Sequence, residues 1–262
     1  MQTFAFQSAT SVADAARAAQ DADTKLIAGG QSLLGAMRLG LATPSTVVDL
    51  GGLADLKGIT VTATQVTIGA MTTHAAVAAS AEVAKAIPAL AFLAGNIGDR
   101  QVRNRGTIGG SLANNDPAAC YPAGVLGLGA TVNTDRRSIA ADDFFKGLYQ
   151  TALADGEIIT SVSFPIPARA GWEKFKQPAS RFSLVGVFVS QGPAGVRVAV
   201  TGAGAGVFRA SALEAKLAAS WSAAACDGVV IPAKGLNADL HGSAEYRASL
   251  IPVLAARAVG AS

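Results

Sequence analysis

Two glycine pairs carry the strongest chemical signal in this chain: Ala28-Gly29-Gly30-Gln31-Ser32-Leu33 and Thr107-Ile108-Gly109-Gly110-Ser111-Leu112. Each follows a predicted strand and leads into a hydroxyl residue. Glycine lets the backbone approach an anion closely, and successive amide N–H groups in such a turn, or at a helix start, can be aimed at pyrophosphate oxygens. One copy alone reads as readily as a tight turn between a strand and a helix. Two copies eighty positions apart and matched in order point to two distant segments closing on one dinucleotide from both sides.

The rest of the chain narrows the class. Its 262 residues are half apolar and only 15% charged, enough for a sizeable core divided into two or three subdomains. The formal charge is +3, and basic residues gather only around Arg100, Arg103 and Arg105, so no nucleic-acid stripe is expected. Cys120 and Cys226 are too few for a disulfide framework, an iron–sulfur cluster or a structural zinc site. No stretch approaches the roughly 20 apolar residues of a membrane span, and the start lacks the pattern of a secretory signal. A soluble cytoplasmic protein is expected.

The elements that must position the glycine segments begin with a predicted β-α-β-α-β run. It comprises strands at 3–6, 25–28 and 47–50, a helix at 11–19 opened by Ser11, and a short helix from Ser32 to Leu39 capped by Ser32. Alternation from Ile59 to Gly69 predicts a hairpin turning near Thr64-Gln65. Helices are expected over 74–79, 83–93 and 117–129, and hairpin strands over 130–134 and 137–139. Pro165 and Pro167 mark a boundary, followed by an antiparallel meander at 172–175, 182–190 and 196–201. Helices at 212–219 and 244–259 close the chain, the last kinked at Pro252. Gly202-Ala203-Gly204-Ala205-Gly206 lacks the spacing of a dinucleotide fingerprint and reads as a plain turn.

Together with the first glycine segment, the run Val102-Arg103-Asn104-Arg105-Gly106-Thr107-Ile108-Gly109-Gly110-Ser111-Leu112-Ala113 and Phe175-Lys176-Gln177-Pro178-Ala179-Ser180-Arg181 resemble the FAD-binding medium subunit of molybdenum hydroxylases. That family includes aerobic carbon monoxide dehydrogenase, xanthine dehydrogenase and bacterial dehydrogenases of N-heterocycles. The likeness continues through Asp143-Phe144-Phe145, Thr201-Gly202-Ala203-Gly204 and Ala244-Glu245-Tyr246-Arg247.

The resemblance implies an α+β protein with two N-terminal α/β FAD-binding subdomains, 1–56 and 57–165, and a C-terminal α+β domain, 166–262, with a small antiparallel sheet plus helices. It implies that Ala28, Gly29, Gly30, Gln31, Ser32 and Leu33 hold the pyrophosphate on one side and Thr107, Ile108, Gly109, Gly110 and Ser111 on the other. Family members place an aspartate near the flavin's sugar hydroxyls where this chain has Cys120, with Asp116 a candidate substitute. Lys176 and Arg181 read either as facing the flavin or a partner, or as solvated. FAD is expected to be noncovalent, because the loop residue is Gln31 and not histidine. The molybdenum cofactor and two [2Fe–2S] clusters are expected on partner subunits only, a large and a small one, arranged as a dimer of heterotrimers. The chain would pass electrons from those clusters to an external acceptor. Two other readings stand beside it: a standalone flavin oxidoreductase, and a noncatalytic assembly subunit that has lost the flavin. Arg103 and Arg105 are expected to pair with acids or cap carbonyls, His74 to start a helix or pack, and Cys120 to act as a small apolar filler.

Overall fold

The computed structural model describes residues 2–262. Three sheets follow one another along the chain. The first is a parallel sheet of β1 (Ala5–Ser8), β2 (Thr24–Ile27) and β3 (Thr46–Asp49), in the order β1-β3-β2. Its crossovers are α1 (Val12–Ala18) and α2 (Leu33–Arg38), as the β-α-β-α-β reading requires. Ser11 caps α1 by accepting from the Asp14 amide. Ser32 makes no side-chain cap on α2, contrary to expectation.

The second sheet is antiparallel. It joins β4 (Ile59–Val61), β5 (Gln65–Gly69), β6 (Thr131–Thr134), β7 (Ser138–Ala140) and, after the two-stranded hairpin β8 (Phe145–Gly147) and β9 (Gln150–Thr151), β10 (Ile159–Pro165). Between β5 and β6 lie the helices that cover it: α3 (His74–Ala79), α4 (Ala81–Ala86), α5 (Pro88–Gly95), α6 (Arg100–Arg105), α7 (Ile108–Asn114) and α8 (Tyr121–Leu128). The single helix expected over 83–93 is two, because Pro88 keeps Ile87 out of the helical region at φ −141°, ψ 76° and starts a new helix at its own first turn. The helix expected from Pro117 begins only at Tyr121. Its predicted first turn is instead a bend in which the Asp116 carboxylate accepts from the Ala118 amide at 2.8 Å. A one-turn helix, α9 (Ala141–Phe144), follows β7.

The chain enters the third sheet at β11 (Arg169–Lys176) and continues as an antiparallel meander through β12 (Ser183–Gly192), β13 (Gly195–Thr201) and β14 (Phe208–Arg209). Eight consecutive residues of β12, Ser183 to Ser190, are buried, since both faces of this sheet are covered. Phe188, Trp172 and Ala199 join the core of the second sheet, beside Leu90, Leu93 and Val125. On the other face Val185, Val187 and Val198 pack with Leu213 of α10 (Ser211–Ala219) and with Ile251 and Leu254 of α11 (Ala244–Gly260). Pro252 lies inside α11 without ending it. The glycine-rich run after β13 is a turn, as expected: Gly202 has φ 83°, and Asn237 and Arg247 donate to its carbonyl.

Candidate functional site

Between the first sheet and the second lies a cleft of about 710 Å³, within the ~300–1,000 Å³ typical of cofactor sites. Both glycine segments line it. Ala28 to Leu33 form one wall, and Thr107, Gly109, Gly110 and Ser111 the other. Ile108, expected there, does not line the cleft, because its side chain is fully buried in the second core.

The two walls touch. A Cβ on Gly29 would run into the carbonyl oxygen of Arg105, so glycine is required there for the first segment to lie against the backbone before the second. Across the second segment, a Cβ on Gly109 would sit 2.6 Å from that of Ala70. These glycines are explained first by chain packing against chain, and that packing brings the two segments to one place.

Their hydrogen bonding differs sharply. The N–H groups of Gly29, Gly30, Gln31, Ser32 and Leu33 donate to no acceptor among the described residues, and all five residues line the cleft. In the second segment every N–H from Ile108 to Ser111 is engaged. Ile108 donates to Thr72 O at 3.2 Å, Gly109 to Ala70 O at 2.8 Å, and Ser111 to Thr107 O at 3.0 Å. Gly110 donates to Thr107 Oγ1, also at 3.2 Å, as Thr107 caps α7. The expectation of two matching amide nests is therefore corrected to one open nest and one closed one. The second segment is also preceded by α6 and not by a strand. It offers the Ser111 hydroxyl and the bare face of Gly110.

Asp116 and Cys120 line the cleft as well. Lys176 does not: it is the exposed last residue of β11, beyond a register shift in which β12 skips Leu184. Lys174, two residues earlier, takes the place expected of it. Its ammonium, with the residue only 7% exposed, donates to Asn96 O at 2.7 Å and to Cys120 Sγ at 3.2 Å. No carboxylate pairs with it among the described residues. Ser183 Oγ lies 3.7 Å from the same sulfur. Cys120 thus does more than fill space: it is an acceptor for a buried cation, a contact that strand alternation around Trp172 and Lys174 could have flagged.

Two further titratable groups of the cleft, Glu157 and His74, are tied into the fold. Glu157 is held down to about pKa 2, chiefly by the Arg137 guanidinium, with the Ala154 amide and the Thr134 hydroxyl also donating to it. His74, at the start of α3, is pushed down to about pKa 4 by burial and, second, by the charge of Arg103. Its ring packs on that of Tyr121 with centroids 5.3 Å apart, so it is a neutral packing residue near pH 7. Arg103 caps the carbonyls of Ile97 and Gly98, at 3.0 and 3.1 Å. Lys25, Lys174 and Arg181 then outweigh Asp116, the one cleft carboxylate left without a cation, which suits an anionic ligand. Sequence reasoning passed over Lys25, Lys174, Tyr149 and Glu157.

A parallel βαβ sheet facing a helix-covered antiparallel sheet, with open amides on one wall of a positively charged cleft, defines a dinucleotide-binding protein. Residues 2–167 match the family described as the FAD binding domain in molybdopterin dehydrogenase. The nicotine 6-hydroxylase medium subunit of Paenarthrobacter nicotinovorans is 40% identical over 256 residues, covering 91% of this chain and 89% of that protein. The carbon monoxide dehydrogenase medium chain of Hydrogenophaga pseudoflava is 33% identical over 260 residues, covering 92% and 89%. The crystal structure of quinoline 2-oxidoreductase from Pseudomonas putida 86 superposes with a TM-score of 0.88 at 30% identity, over 99% of this chain and 96% of that one. The chain belongs to the FAD-binding family of the molybdopterin dehydrogenases, and is an oxidoreductase component whose cofactor is FAD. The cleft fits that group: five unsatisfied amides at one wall match the acceptor oxygens of a diphosphate.

Proposed function

We propose that this chain is the electron-transfer subunit of a molybdenum-containing hydroxylase. It takes electrons from [2Fe–2S] clusters on a small partner subunit and delivers them to an external acceptor, while a large partner subunit carries the molybdenum cofactor and the substrate chemistry. A dimer of such heterotrimers is the proposed assembly. FAD supplies the capacity to exchange electrons singly or in pairs. The chain's own residues bind and orient. Gly29 to Leu33 direct their amides at the diphosphate, each charge-assisted bond worth about 1.5–3 kcal/mol. Gly110 leaves room for its approach, and Ser111, Asp116 and Cys120 face the polyol. Lys174 sets a buried positive charge at the cleft floor.

The observation that carries this reading is the open amide run facing a second glycine segment in one cleft, in a chain similar along its length to medium subunits. Two of the titratable groups lining the cleft argue against substrate oxidation by this chain alone. Glu157 is locked to Arg137, and His74 is buried and neutral, so neither is poised to move a substrate proton.

The test is to purify the chain alone and with its co-expressed neighbours. A flavin absorption spectrum from the chain, and copurification with an iron–sulfur and a molybdenum subunit, are expected. A folded chain that takes up no FAD would overturn the flavin role. A flavin-loaded chain that oxidises a substrate with no partner would overturn the electron-transfer role.

A further inference from the structure

The tip of the β8–β9 hairpin holds a side chain that turn geometry alone does not call for. Tyr149 sits there with φ 54°, one of three non-glycine residues in the left-handed region among those described. That region is disfavoured for any residue with a Cβ and most readily tolerated by glycine and asparagine. The hairpin holds it there by a tie to the cleft wall. Asn115, itself left-handed at φ 42° and fully buried at the end of α7, donates through Nδ2 to the carbonyls of Gly147 at 2.9 Å and Gln150 at 2.7 Å. The end of the second glycine helix therefore fixes where the hairpin tip stands. Tyr149 lines the cleft with Gly110, Ser111 and Asp116, yet remains 58% exposed.

We propose that Tyr149 is a contact residue for the bound dinucleotide, its ring covering a planar heteroaromatic ring of FAD at the mouth of the cleft. This rests on the flavin reading above. An observed backbone outlier at a binding cleft is grounds for asking what the strain secures. Glycine at 149 would make the same turn without strain, so what tyrosine adds is its ring: a broad apolar face with a polar edge, suited to stacking on a heterocycle. The phenol stands beside the Asp116 carboxylate. Partial burial and then that carboxylate hold its pKa above the usual tyrosine value, so the ring is neutral and can lie close to the cofactor. Asp116 in turn is steadied by the Ala118 amide. Asn115 thus ties the hairpin to the end of α7, next to the Asp116 carboxylate.

The experiment compares Tyr149→Gly and Tyr149→Phe with the unmodified full chain, reading FAD affinity by fluorescence titration and the melting temperature without FAD. Tyr149→Gly relieves the backbone, so its FAD-free melting temperature should rise while its Kd for FAD weakens about tenfold. Tyr149→Phe keeps the ring and should hold FAD within about threefold. ADP and FMN titrations then distinguish the sources of the ring: weakened ADP binding in Tyr149→Gly marks adenine, and weakened FMN binding marks the isoalloxazine. A purely structural turn residue would give the higher melting temperature with unchanged FAD affinity, and that result overturns the proposal. Should the glycine variant fail to fold, Tyr149→Asn, also at home in this backbone region, takes its place with the same expected outcomes. Failure of the unmodified chain to bind FAD would instead overturn the flavin reading itself.

Discussion

His74 gives the fold a dependence on pH that can be signed in advance. In the unfolded chain its imidazole takes up a proton near pH 6.5, whereas burial delays this to about pH 4 in the folded protein. Above pH 6.5 both states are neutral there and His74 contributes no pH slope. As pH falls from 6.5 to 4 the unfolded state binds the extra proton, and the fold should lose stability, by up to about 3 kcal/mol. Glu157 adds a second loss further down, because its carboxylate is paired when folded: that stability is present above pH 4.5 and disappears as pH approaches 2. Denaturant unfolding as a function of pH should show the upper slope in the native protein and its absence in His74→Gln. An identical slope in both would assign the acid sensitivity elsewhere. At Cys120 the prediction concerns charge. An aspartate there would face the Lys174 ammonium across the present 3.2 Å contact, so Cys120→Asp should fold and keep its FAD, with a Kd equal to or tighter than the native one. A marked loss of flavin would mean that the thiol is needed for itself.

At the scale of elements, the cleft depends on two backbone segments meeting, and their contributions are unequal. The first supplies open amides and the second supplies room. Valine at 110 would bring its Cβ to 3.0 Å from Thr107 Oγ1 and 3.4 Å from the Ala28 Cβ, crowding the cap and the space between the walls. Gly110→Val should therefore lower FAD affinity at least about tenfold, or 1.4 kcal/mol, while helix propensity, which ranks valine above glycine, takes nothing from α7. Flavin content and circular dichroism measured together check this, and full flavin content would remove the second segment from the site. Much of this arrangement was legible in the sequence. The alternation of β1 to β3 with α1 and α2, the hairpin of β4 and β5, and the glycine pairs are local patterns with local causes. What was hidden depended on tertiary partners. Nothing in Thr107-Ile108-Gly109-Gly110 announces that Ala70 and Thr72 will take its amides. That β11 ends at an exposed Lys176, with Lys174 as the buried cation, is settled by the pairing of β11 with β12. Pro88, by contrast, was a readable signal that the helix over 83–93 would divide.

The whole molecule is layered so that the cleft lies at one junction and a shared core at the other. The division at residues 56 and 165 remains a proposal; across the second of these bounds, Trp172, Phe188 and Ala199 of the third sheet pack into the core of the second. The third sheet thus buttresses the cleft from behind, and through Lys174, which reaches Asn96 and Cys120, it supplies part of the floor. The first sheet has a separate core in which Met71 and Ile158 join Val48, Leu50 and Leu56. In the proposed seat, the cofactor lies at this junction between the two layers. The most direct measurement is the crystal structure of the chain with FAD bound. The diphosphate should lie between the first and second sheets, with its oxygens about 2.7–3.2 Å from amides of the Gly29–Leu33 segment. It should make no bond to the amides of Ile108 through Ser111. A diphosphate held by those second-segment amides, or a dinucleotide seated outside this cleft, would contradict the account.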